Sequence, residues 1–115
     1  MRDDSEWQQA LHDAGELTPS IVADILDTHG ARGRRAIEGV GERRVKRYRD
    51  FTVVVGYHNE YIVEGGSCTC EDTRYNLDPT DPTDRCWHAL AVDIADALGV
   101  IEDHDLWYSD VAELL

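Results

Sequence analysis

Cys68-Thr69-Cys70, then fifteen residues, then Cys86-Trp87-His88 and the apolar run Ala89-Leu90-Ala91-Val92-Asp93-Ile94-Ala95: this stretch decides how the chain is read. It uses every cysteine among 115 residues. Its pattern is C-x-C…C-x-H, three thiols and one imidazole, a donor set suited to one tetrahedral Zn2+ ion. The expected metal ligands are therefore Cys68, Cys70, Cys86 and His88.

The spacing fits that chemistry. Side chains at i and i+2 of a strand point to one face. Cys68 and Cys70 follow the strand-like run Tyr61-Ile62-Val63-Glu64, so both thiolates can converge on one ion. In a helix the same spacing diverges by roughly 200°. Cys86 and His88 are therefore expected to straddle a helix start. Asp81 and Asp84 are suitable N-caps and Pro82 suits a first turn. A cysteine placed there feels the helix dipole, which favours the thiolate.

The competing reading makes the cysteines small buried residues and His88 a core histidine. Disulfides explain the pattern poorly. A Cys68–Cys70 bridge would be strained, and three cysteines leave one over. With four protein ligands the zinc shell is closed and holds no water, so an enzyme is not expected.

On Cys68, Cys70, Cys86 and His88 the chain resembles the SWIM-type zinc finger, whose pattern is C-x-C-x(n)-C-x-H. The preceding strand and Gly65-Gly66-Ser67 turn, and the apolar helix after His88, also resemble the family. The resemblance covers roughly residues 45 to 98. It implies binding of nucleic acid or protein in DNA-transaction settings, with no shared catalytic activity.

Working outward, Ser5-Glu6-Trp7-Gln8 looks like a capping box opening a helix to about Ala14, with Gly15 ending it. Thr18-Pro19 opens a second helix with Ile21, Ile25 and Leu26 on one face, stopped by Gly30. Ala31 to Val40 reads as a third helix, weakened by Gly33 and Gly39. From Val45 the period changes. Val45–Tyr48, Phe51–Val55 and Tyr61–Glu64 read as a three-stranded antiparallel sheet. The connector from Glu71 to Arg85 reads as an acidic loop. Trp87, Leu90, Ala91, Ile94 and Leu98 form the core stripe of a helix ending at Gly99, with Trp87 expected over the zinc and the sheet. The segment Asp105–Leu115 is expected to pack back.

The expected fold is thus α+β: a small antiparallel sheet of about three strands and a C-terminal helix organised by one zinc, preceded by one to three helices. Its parts are a helical segment at 1–40, the zinc-finger domain at 41–100 and an acidic segment at 101–115.

Charge narrows the function. There are 24 acids and 11 bases, a net charge of −13, and only one base is lysine. An acid-rich, lysine-poor surface resembles that of proteins from salt-loving archaea. No apolar run approaches a membrane span, and Met1-Arg2-Asp3-Asp4-Ser5-Glu6 is too acidic for a targeting leader. A reduced cytoplasm fits thiolate ligands. No nucleophilic triad, phosphate loop or small-molecule substrate site is recognisable, and His12, His29, His58 and His104 suggest no second metal.

The bases are clustered. Arg32, Arg34, Arg35, Arg43, Arg44, Lys46, Arg47 and Arg49 face only Glu38 and Glu42 within their own stretch. A basic stripe on an acidic body is the footprint of a phosphate-binding face, so DNA is the expected partner. The alternatives are that these arginines pair with the body's carboxylates, or that a protein partner meets the acidic loop and tail. Salt argues against DNA. At molar concentrations charges are screened beyond about 3 Å.

Overall fold

The computed structural model describes residues 4–56, 59–64, 67–77 and 85–110. Three helices come first: α1 (Asp4–Ala14), α2 (Pro19–His29) and α3 (Ala31–Gly41). Then follow β1 (Val45–Arg47), β2 (Thr52–Val55), β3 (Glu60–Glu64) and β4 (Ser67–Cys68). A short helix α4 (Glu71–Tyr75), the helix α5 (Trp87–Leu98) and β5 (Glu102–Asp103) complete the order.

Local chemistry sets the helix ends. Thr18 caps α2, its Oγ1 accepting from the Ile21 amide at 3.3 Å, with Pro19 in the first turn. Gly15, Gly30 and Gly99 take positive φ values of 69°, 57° and 67°, where a side chain would be strained. α1 begins one residue ahead of the expected Ser5 cap.

The α+β class holds, but the sheet has five strands among the described residues instead of about three. Their order is β4-β3-β2-β1-β5. The β1–β2, β2–β3 and β3–β4 pairs are antiparallel, and β5 joins β1 in parallel. Both added strands are two residues long, too short to carry an alternating pattern. Tyr48 and Phe51 lie just outside the strands and close the β1–β2 turn, Tyr48 N donating to Phe51 O at 2.8 Å.

α5 packs on the sheet with His88, Ala89, Leu90, Ala91, Ile94 and Ala95 buried. α3 and α1 pack on α5, and one core cluster runs from Trp7 and Leu11 through Ile25, Ala36 and Val54 to Ile94. The N-terminal helices therefore share the core of the sheet. Adjacent Val53 and Val54 point to opposite sheet faces and both are buried, so at β2 neither face is left to water.

The glycines that weaken α3 on paper let it pack. A Cβ on Gly33 would lie 3.0 Å from Ile25 Cγ2 of α2, and one on Gly39 would lie 2.8 Å from Trp87 Cζ3 of α5. Trp87 thus packs on α3, and its ring centroid also lies 4.0 Å from that of the expected ligand His88.

The C-terminal segment packs back as far as Asp110, and residues 111–115 lie outside the described residues. His104 N donates to Arg47 O at 2.8 Å and Arg49 N to Leu106 O at 2.9 Å. Asp50 accepts from the Tyr108 amide at 2.6 Å, the Ser109 amide at 3.2 Å and the Ser109 hydroxyl at 2.7 Å. Among the described residues no helix is long and apolar enough to cross a membrane.

Candidate metal centre

Cys68 ends β4 and is held by the β3–β4 hairpin, where it pairs with Val63. The hairpin continues one residue further. Thr69 N donates to Ile62 O, and Ile62 N to Thr69 Oγ1, both at 3.1 Å. This fixes the extended backbone that turns Cys70 to the same side as Cys68.

Cys70 and Cys86 are the N-caps of α4 and α5. Each is extended, with φ, ψ of −73°, 160° and −70°, 164°. Each sulfur accepts the amide of the residue three further on, Thr73 and Ala89, at 3.4 Å. The Thr73 hydroxyl lies 3.3 Å from Cys70 Sγ. At α5 the candidate ligand Cys86 therefore does the capping expected of Asp81 or Asp84. Those two residues and Pro82 lie outside the described residues. The N-terminus of α5 aims the Ala89 amide at Cys86 Sγ, which favours that thiolate.

His88 sits in the first turn of α5, so Cys86 and His88 straddle the helix start. Its ring lies between Trp87 and Tyr61, with centroids at 4.0 and 4.2 Å. Its Nδ1 is buried without a hydrogen-bond partner among the described residues.

The ligand atoms of Cys68, Cys70, Cys86 and His88 lie within 4.8 Å of one another, and all four residues are buried. All three cysteines are free. The hydrogen bond between Cys68 and Cys86 stabilises Cys86 as the thiolate against the cost of burial, helped by His88, Thr73 and the Ala89 amide. The same bond, then burial and the Cys86 charge, push the Cys68 thiol up. Three buried thiols and a buried imidazole converge as one compact set of soft donors. The residues fit a single metal ion.

The connector expected as a loop begins instead with α4. Asp72 in that helix accepts two bonds from Arg32 of α3, Nε at 2.8 Å and Nη2 at 3.0 Å. This bidentate pair first, with Asn76 assisting, holds the Asp72 carboxyl below its usual range against desolvation. No sequence pattern pointed to this contact, because its partners are forty residues apart.

The basic stripe divides. Arg32 pairs with Asp72, Arg34 with Glu38 at 3.3 Å, Arg44 with Glu42 at 3.1 Å, Arg47 with Asp96 at 3.7 Å and Arg49 with Asp105 at 2.6 Å. Arg44 also donates to Val55 O at 3.0 Å and Gly56 O at 3.3 Å. Arg35, Arg43 and Lys46 form no ion pair with any described residue; Lys46 lies opposite Glu102 in the β1–β5 register. Of the other histidines, His104 stacks on Tyr48 at 5.1 Å and His29 meets the edge of Trp7 at 6.4 Å. His58 lies outside the described residues.

An uncharacterized protein of Archaeoglobus fulgidus is 39% identical to this chain over 111 residues, covering 96% of this chain and 93% of that protein. The chain belongs to the family of that archaeal protein. The matched stretch is long enough to include most of the N-terminal helices together with residues 68–88. No protein-family model and no solved structure matches the chain.

Proposed function

We propose that this protein is a non-enzymatic SWIM-type module, organised by one zinc ion, that binds other macromolecules. The carrying observation is the buried Cys68–Cys70–Cys86–His88 cage. Soft thiolates select zinc over hard cations such as magnesium or calcium, and a tetrahedral set of three sulfurs and one nitrogen suits zinc. Four protein donors fill the shell, so the ion's role is to fasten hairpin to helix. The acid-rich composition suits a salt-rich cell, and thiolate ligands suit a reducing cytoplasm.

The first partner reading is DNA. Arg35, Arg43 and Lys46 would carry it, because the other five bases of the stripe already face carboxylates. The second reading is a protein, favoured by those same ion pairs and by the half-exposed Leu106 and Trp107 on the returning C-terminal segment. Fluorescence anisotropy of labelled single- and double-stranded DNA separates them. It is run from low salt to molar KCl with the Arg35→Glu/Arg43→Glu/Lys46→Glu variant alongside. Binding that survives molar salt and disappears in the variant supports DNA. Binding only at low salt, indifferent to sequence, supports the protein partner.

A further inference from the structure

We infer that Arg32 is a positioning residue for the metal site, and that its pair with Asp72 sets how long the ion stays bound. The inference rests on the zinc reading above and names what governs that site from outside.

Cys70 differs from the other ligands in its support. Cys68 belongs to the sheet, and Cys86 and His88 belong to α5, a twelve-residue helix packed in the core. Cys70 leads directly into α4, which has five residues. A helix that short does not hold itself in water, because nucleation is unfavourable and few bonds follow it. α4 needs outside fixings. One is Cys70 itself, whose sulfur takes the Thr73 amide. Another is the two-toothed grip of Arg32 on Asp72 at 2.8 and 3.0 Å, from the first turn of α3.

The grip is well built. Both side chains are about two-thirds withdrawn from solvent, at 36% and 31% exposure. Asn76 Nδ2 donates to Asp72 Oδ1 at 3.1 Å and ties the far end of α4 to the same carboxylate. A planar guanidinium fixes direction as well as distance, which a lysine cannot do. α3 is in turn locked onto α5 at Gly39 and Trp87, between the ligands Cys86 and His88. Arg32 therefore ties the Cys70 arm to the element that carries the other half of the cage. Release of the ion needs one ligand to leave first, and Cys70, which leads into the five-residue α4, is the arm with the shortest element behind it. Outside-shell partners of a metal site typically change affinity 10- to 100-fold, about 1.4 kcal/mol per tenfold.

The test is the rate at which zinc-loaded, full-length protein gives its metal to the chromophoric chelator 4-(2-pyridylazo)resorcinol. Arg32→Met, Asp72→Asn and the double variant are compared with Ile25→Val, a core change matched for loss of thermal stability. The expected result is release about tenfold faster in each single variant, no faster still in the double, and unchanged in Ile25→Val. Arg32→Lys is expected to restore only part of the wild-type rate. Unchanged rates, or equal acceleration by Ile25→Val, overturn the inference. So does loss of DNA binding in Arg32→Met with zinc release unaltered, which would make Arg32 a phosphate contact. A wild-type chain that holds no zinc overturns the metal reading, and this inference with it.

Discussion

Gly39 of α3 and Trp87 of α5 meet so closely that a Cβ on Gly39 would lie 2.8 Å from Trp87 Cζ3. Trp87 stands between the candidate ligands Cys86 and His88, so this contact couples helix packing to the cage. An alanine in mid-helix usually gains roughly 0.5–1 kcal/mol over glycine. Here the tip of a large ring must move, and overpacking costs about 1–3 kcal/mol. Gly39→Ala is expected to lower stability and weaken metal retention together. Gly41→Ala, with nothing within 4 Å of its Cβ, is expected to do neither. Thermal melts with metal analysis check both.

Removing any one ligand should empty the cage. Cys68→Ala, Cys70→Ala, Cys86→Ala and His88→Ala are each expected to lose stoichiometric zinc, with a stability loss of about 3 kcal/mol or more. Chelation of the wild type should give the same state. A Cys70→Ala protein with full zinc and an unchanged melting point would remove the metal assignment.

The two kinds of arginine in the basic stripe should respond differently. Arg44 has a side chain only 20% exposed and bonds to Val55 O and Gly56 O. Arg44→Ala leaves those carbonyls with one donor fewer and is expected to cost about 1–3 kcal/mol. Arg34 is 76% exposed and forms a single pair along its own helix. Arg34→Ala is expected to stay within about 0.5 kcal/mol. Urea titration of both variants gives the comparison.

Asp50 should govern the returning C-terminal segment at low pH. Desolvation acts to raise its carboxyl pKa, but hydrogen bonds from the Ser109 hydroxyl and the Tyr108 and Ser109 amides outweigh it, and the pKa is lowered. A lowered carboxyl pKa contributes stability above the unfolded value of about 4, and that contribution is lost as pH falls through the folded value. Wild-type Tyr108 and Ser109 amide resonances are expected to hold their positions at neutral pH and to shift only below about pH 4. Asp50→Asn is expected to show shifted amides already at pH 7.

Tyr108 gives the alkaline counterpart. Desolvation first, then its bond to Glu60 at 2.8 Å, push its phenol up to about 12. A raised phenol pKa favours the fold below the ordinary value of about 10, and that contribution fades as pH climbs toward 12. Burial first, then the Glu60 and Glu102 charges, also raise the Tyr48 phenol, so ultraviolet titration should show late phenolate absorbance of which Tyr108→Phe removes a part.

Much of the site was legible because its signals are local. Ligand spacing, the Thr18 cap and the Gly15, Gly30 and Gly99 stops are read within a few residues. The α4 helix was missed because five residues in an acidic connector carry no period, and its cap is a cysteine, a residue type read as a ligand only. The basic stripe was legible as composition, but its pairing was not. Asp72, Asp96 and Asp105 come to it from distant parts of the chain.

By itself the sequence determined the donor set, the α+β order of elements and where most helices stop, since these follow from residue chemistry and from periods of two or 3.6. The tertiary structure alone decided the rest. It brought β5 beside β1, seated Trp87 on Gly39 and set the distant carboxylates Asp72, Asp96 and Asp105 against Arg32, Arg47 and Arg49. Most of these are contacts between residues far apart in the chain. Packing of the whole core creates them, and no local pattern encodes them.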